Sequence, residues 1–142
     1  MRLTATVLDT PDPRGLARFY QRLLGWPIGS DEPEWATLRP EDGGAGLSFQ
    51  LETDHVPPVW PPQPGTQQMQ VHLDFEADDL DATEAELRRL GATTPEYQAH
   101  RSDGLIVLRD PAGHLFCIGT RLPAQRDPGP PSSDAGPTKP VR

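Results

Sequence analysis

The chain has 142 residues, with 13 Lys and Arg against 21 Asp and Glu, a formal net charge of −8 and a sequence pI near 4.8. The length suits one domain, but 18 prolines and a mean hydropathy of −0.60 mean that not all of it packs. A field of this sign repels a phosphate polyanion, which argues against nucleic acid. No apolar run nears the roughly 20 residues of a bilayer crossing, so no membrane partner is expected. Cys117 is the only cysteine, so an intramolecular disulfide is impossible. Met1-Arg2-Leu3-Thr4 leads straight into an alternating pattern rather than a leader, and a reducing cytoplasm is the expected location.

Taken in chain order, Arg2 to Thr10 reads as a strand, stopped by Pro11-Asp12-Pro13. Asp12 is placed to cap a helix, with Pro13 at its first position, where a missing N–H costs nothing. Leu16, Phe19, Tyr20, Leu23 and Leu24 then form one apolar helical face, and Gly25 ends it. Strands are expected at Trp26-Pro27-Ile28, Glu34 to Arg39 and Gly46 to Glu52. Later, Met69 to Ala77 alternates, with Met69, Val71, Leu73 and Phe75 turned to a helix and His72 and Asp74 away from it. Asp78 is the expected cap of a second helix carrying Leu80, Thr83, Leu87 and Leu90, which Gly91 closes. Asp12 to Asp78 and Gly25 to Gly91 are both offsets of 66, which points to an internal duplication. Strands follow near Ala92-Thr93, Gly104 to Arg109 and His114 to Thr120. Asp110-Pro111-Ala112-Gly113 has the residues of a type I turn joining the last two.

The expected fold is therefore α+β, two βαβββ modules over residues 2–54 and 67–122. The proline-dense stretch Val56 to Gly65 (VPPVWPPQPG) crosses between them outside any ladder. Residues 123–142, rich in Pro, Gly and Ser with almost nothing to bury, are expected to be a disordered tail.

The run DTPDPRGLARFYQRLLGW resembles the first strand and helix of the vicinal oxygen chelate superfamily, the glyoxalase/bleomycin-resistance/dioxygenase proteins, in its glyoxalase-like branch. QQMQVHLDFEADDLDATEAELRRLGAT and VLRDPAGHLFCI resemble its second module, so the likeness covers about residues 2–122. It implies curled, mixed or antiparallel sheets forming a cup around a small ligand, and a homodimer. Metal-dependent members are similar to one another in setting two imidazoles and two carboxylates on the first and last strands of each module, with open positions for substrate. Carried over residue by residue, that pattern meets His72 on the first strand of the second module and Gln50 on the last strand of the first. It meets Ala5, or Thr6, on the first strand, and Cys117 on the last. An amide oxygen is a weaker ligand than a carboxylate, and a cysteine between Phe116 and Ile118 reads equally as core.

Candidate ligand-binding residues are thus Gln50, His72, Asp74, Trp35, Trp60 and Cys117. His72 contacts ligand or merely hydrogen-bonds Asp74, which in turn orients it as an acid/base pair. Trp35 is either an aromatic wall or core, and Trp60 either lids a cup or packs the crossing. His55 and His100 read as solvated loop residues. His114 is set aside as lying on the face opposite Cys117. The acidic group Asp78, Asp79, Asp81, Glu84 and Glu86 reads as a solvated helix start. Two functions stay open. One is a binding protein of the sequestering or resistance type, taking a small, partly apolar molecule with no metal or other cofactor. The other is a lyase, isomerase or dioxygenase using His72 with a divalent metal, which His72 and the weaker Gln50 would hold. A cup filled by apolar side chains would favour a third, vestigial reading.

Overall fold

The first helix begins where its capping residues stand. Asp12 Oδ1 accepts the Gly15 N–H at 2.9 Å, Pro13 takes the first turn, and Gly25 ends the helix at φ 70°, where a side chain would be strained. The computed structural model describes residues 1–120. In it β1 (Ala5–Thr10) and α1 (Pro13–Leu24) lead to β2 (Ile28–Asp31), β3 (Trp35–Leu38) and β4 (Gly46–Leu51). The second half follows with β5 (Leu73–Glu76), α2 (Leu80–Arg89), a 3-10 turn (Arg101–Asp103), β6 (Leu105–Arg109) and β7 (Leu115–Gly119). The expected tail at 123–142 lies outside the described residues.

Two mixed sheets result, ordered β1-β4-β3-β2 and β5-β7-β6. In each, the first and last strands run parallel and the other pairs antiparallel. This is the α+β architecture that the sequence pattern, and the resemblance drawn from it, implies. Where the second module would carry a counterpart of β2, a single bridge joins Thr93 to Arg109. Pro95, two residues on, lacks the N–H that would extend the pairing.

One core serves both modules. Tyr20 of α1 stacks on Phe49 of the first sheet at 5.7 Å and meets Phe116 of the second sheet edge-on at 6.4 Å. Phe19 lies 6.1 Å from the same Phe116 ring. Such aromatic contacts add about 0.5–1.5 kcal/mol each beyond area burial. A separate apolar group occupies the other face of the second sheet, where Val107, Leu115 and Cys117 pack with Trp60, Met69 and Leu105.

Several expectations are corrected. The strand predicted from Met69 to Ala77 is only Leu73–Glu76, because β5 pairs with β7 from Leu73 opposite Phe116 onward. His72 therefore precedes the strand, and Val71 is exposed rather than turned to the helix. Asp79, not Asp78, caps α2, its Oδ1 accepting the Ala82 N–H at 2.9 Å. Cap to cap, the repeat is therefore 67 residues, one more than the spacing read from Asp78. Glu84 is buried rather than solvated. It accepts hydrogen bonds from Arg101 at 2.8 Å and Thr94 at 2.7 Å, and the bond from Arg101 does most to hold its carboxyl below the usual range. Among the described residues, no helix is long and apolar enough to cross a membrane.

Candidate functional site

Alternation along β7 decides what the second sheet offers. Phe116 and Ile118 enter the shared core, so Leu115, Cys117 and Gly119 stand on the other face. Parallel register then sets Asp74 directly opposite Cys117. His72, two residues before Asp74, falls on the same side, and its Nδ1 lies 3.1 Å from Asp74 Oδ1. One ligating atom from each of His72, Asp74 and Cys117 lies within 4.8 Å of the others.

These three side chains share a cleft of about 580 Å³ with Leu105 and Gly119. Its rim carries Glu76 and the His100–Asp103 pair, 3.3 Å apart, so His100 belongs to the cleft although the sequence placed it in a solvated loop. No lysine or arginine lines it among the described residues. Burial first, then the charge of Asp74 and its hydrogen bond with the thiol, push Cys117 up to about 11. The protonated thiol's contribution to stability is present below the ordinary value of 9.0 and is lost as pH rises toward 11. At pH 8 its alkylation by iodoacetamide is expected to be about 100-fold slower in the folded protein than in the unfolded chain, since the thiolate is the nucleophile. Equal rates, followed by mass spectrometry, would refute that environment.

Trp60 covers the other end of the same face. Its ring packs on the Val107, Leu115 and Cys117 group, its indole N–H donates to the Tyr97 carbonyl at 3.2 Å, and Arg109 donates to the Trp60 carbonyl at 3.3 Å. The linker thus fills one end of the face with apolar bulk and leaves the cleft at the other. Trp35 and Gln50 stand elsewhere, opposite each other in register on β3 and β4. Trp35 is at the exposed face rather than in the core, and the Gln50 amide donates weakly to Asp9 Oδ1 at 3.5 Å. Neither lines the cleft.

The metal set that the resemblance implies does not fit these residues. β1 supplies no imidazole, Gln50 is turned to Asp9, and the register gives Gln50 no carboxylate counterpart. With the first strands aligned at 67 residues, Ser48 opposite Val7 corresponds to Cys117 opposite Asp74, and Gln50 corresponds to Gly119. What remains is a donor set lying wholly within the second module, with a thiol held protonated.

Residues the sequence reading passed over form a buried polar network at the β6–β7 turn. The Asp110 side chain, 0% exposed, accepts the Tyr20 hydroxyl at 2.9 Å, and its Oδ2 lies 2.8 Å from His114 Nδ1. Burial, then Asp110, push the Tyr20 phenol well above its ordinary value, so it stays a donor. Asp110 Oδ1 also accepts the backbone N–H groups of Ala112 and His114 at 2.9 and 3.0 Å. His55, from the linker side, reaches the Ala112 carbonyl at 3.0 Å. The four-residue spacing of Asp110 and His114 across a tight turn was the one sequence signal for this group.

A family profile described as a glyoxalase-like domain matches residues 5–119. A glyoxalase/bleomycin resistance protein/dioxygenase family enzyme from Burkholderia phytofirmans is similar in fold at 19% identity and a TM-score of 0.61, over 86% of this chain and 100% of that one. A glyoxalase/bleomycin resistance protein from Albidiferax ferrireducens, at 22% identity and 0.57, is matched over 84% and 98%. A possible glyoxalase from Bacillus cereus, at 15% and 0.57, is matched over 84% and 98%. No curated protein matches. Strand order, shared core and profile agree: the chain belongs to the glyoxalase-like domain family of the vicinal oxygen chelate superfamily.

Proposed function

We propose that the protein binds a small, partly apolar molecule in the cleft over its second sheet, without requiring a metal, in the manner of a sequestering or resistance protein. The observation behind this reading is the 580 Å³ cleft, with Leu105, Cys117 and Gly119 as its apolar floor and His72 and Asp74 as a polar end. Its size falls in the range of small-molecule sites, and a few polar groups on an apolar wall are what such sites use for orientation. The bleomycin-resistance proteins among its structural relatives are consistent with this role. A thermal-shift screen tests it, because a ligand that binds only the folded state raises the melting temperature by mass action. Leu105→Glu, which sets a charge on the floor, is expected to abolish that shift. A shift unchanged in this variant would place the ligand elsewhere.

A second reading, a metal-dependent lyase, isomerase or dioxygenase, draws support from the closeness of His72, Asp74 and Cys117. It expects His72→Ala to remove both bound metal and turnover. Stoichiometric Ni, Zn, Fe or Mn retained after purification without added metal would overturn the metal-free reading. In either case we infer a homodimer, supported by the exposed Val7 and Trp35 on the side of the first sheet turned away from the core. Sedimentation at a monomer's mass would refute it.

A further inference from the structure

We propose that His55 and His114 form a second site, independent of the first cleft, which binds a borderline transition-metal ion through two imidazole nitrogens. The two rings lie 4.8 Å apart between centroids, tilted by 43°, and both line a smaller cleft of about 250 Å³ that also includes Asp9. Each ring is fixed by its other nitrogen. An Asp110 carboxylate oxygen accepts from His114 Nδ1, so in the neutral ring the proton sits there and Nε2 carries the lone pair. A backbone carbonyl only accepts, so the Ala112 oxygen holds the proton on His55 Nε2 and leaves the lone pair on Nδ1. Among the described residues, neither free nitrogen has a hydrogen-bond partner.

An imidazole whose N–H is given to a carboxylate or a backbone carbonyl, with its second nitrogen bare, is the state in which histidine binds metal. Here two such rings stand side by side. Asp110 is itself locked by Tyr20 and two backbone N–H groups, so the His114 ring is preset rather than searching. Holding the turn and the linker accounts for the two N–H donors, but not for two further ring nitrogens without a partner on side chains that line one cleft. Nitrogen donors suit Cu²⁺, Ni²⁺ and Zn²⁺, with Cu²⁺ bound most tightly, and not the oxygen-seeking Mg²⁺ or Ca²⁺. Two protein ligands leave the remaining positions open toward the cleft.

Titration of the full chain with Cu²⁺ tests this in a His72→Ala/Cys117→Ser background, which removes the other donor cluster. One equivalent is expected to bind, with nitrogen hyperfine structure from two imidazoles in the electron paramagnetic resonance spectrum. Adding His55→Ala, in a linker position outside the helices and strands, is expected to weaken binding by more than about tenfold and to remove the two-nitrogen pattern. His114→Asn is expected to do the same, and its melting curve reports whether it still folds. No stoichiometric binding, or a spectrum and affinity unchanged by His55→Ala, would overturn the site whatever His114→Asn does.

Discussion

Replacing Phe116 by alanine is expected to cost about 3–5 kcal/mol and to lower the melting midpoint by roughly 10–20 °C. Phe116 is fully buried and meets Phe19 and Tyr20 from the first module and Phe75 from its own. Its removal leaves a cavity where α1 touches the second sheet through aromatic rings, a contact to which Phe75 also contributes through Tyr20 at 6.3 Å. A single cooperative transition should persist at the lower temperature, because both modules share that core. Leu3→Ala, ahead of β1 and largely exposed, serves as the control and should stay within about 0.5 kcal/mol. If Phe116→Ala melts within a degree or two of the parent, or melts in two steps, the modules do not share one core.

Asp110→Ala should be nearly as costly, about 3 kcal/mol or more, for an electrostatic rather than a volume reason. The carboxylate is the common acceptor for a phenol, an imidazole and two backbone N–H groups, and none of these reaches another partner once it is gone. Tyr20→Phe removes only the phenolic donor and should cost about 1–2 kcal/mol, since Asp110 keeps its other contacts. The double variant should lose less than the sum of the two by about 0.5–3 kcal/mol, the signature of groups in one network. Strict additivity in urea unfolding would show that Tyr20 and Asp110 do not act together.

The contrast between these sites bears on what the sequence conveyed. Asp12, Pro13 and Gly25 act through their nearest neighbours, and they stand where local chemistry put them. The six-residue β4 also matched its pattern closely, because both of its edges are paired. The Met69 to Ala77 alternation misled, because alternation marks which faces differ and not how far a partner strand extends. Asp78 and Asp79 are chemically identical as caps, and only the path into α2 selected Asp79.

At the candidate site, His72 and Asp74 were legible as a pair because a spacing of two on extended chain sets side chains on one side. That Cys117 would join them depended on the parallel register of β5 and β7, which lies 43 residues along the chain and leaves no local trace. Gln50 stays apart from the group because it stands on β4 of the first sheet, opposite Asp9 and Trp35. His55 and His114, dismissed in sequence as solvated and wrong-faced, meet because the proline crossing returns over the β6–β7 turn.

By itself, then, the sequence determined the ends of the first helix, the repeated strand-and-helix pattern, the acidic charge and the family resemblance, since each rests on short-range stereochemistry or on pattern. Tertiary structure alone decided that both modules share an aromatic core, that the donors gather on one sheet instead of between two, and that two loop histidines share a cleft. These last features arise from contacts between residues far apart in the chain, and only packing and strand register bring such residues within bonding distance.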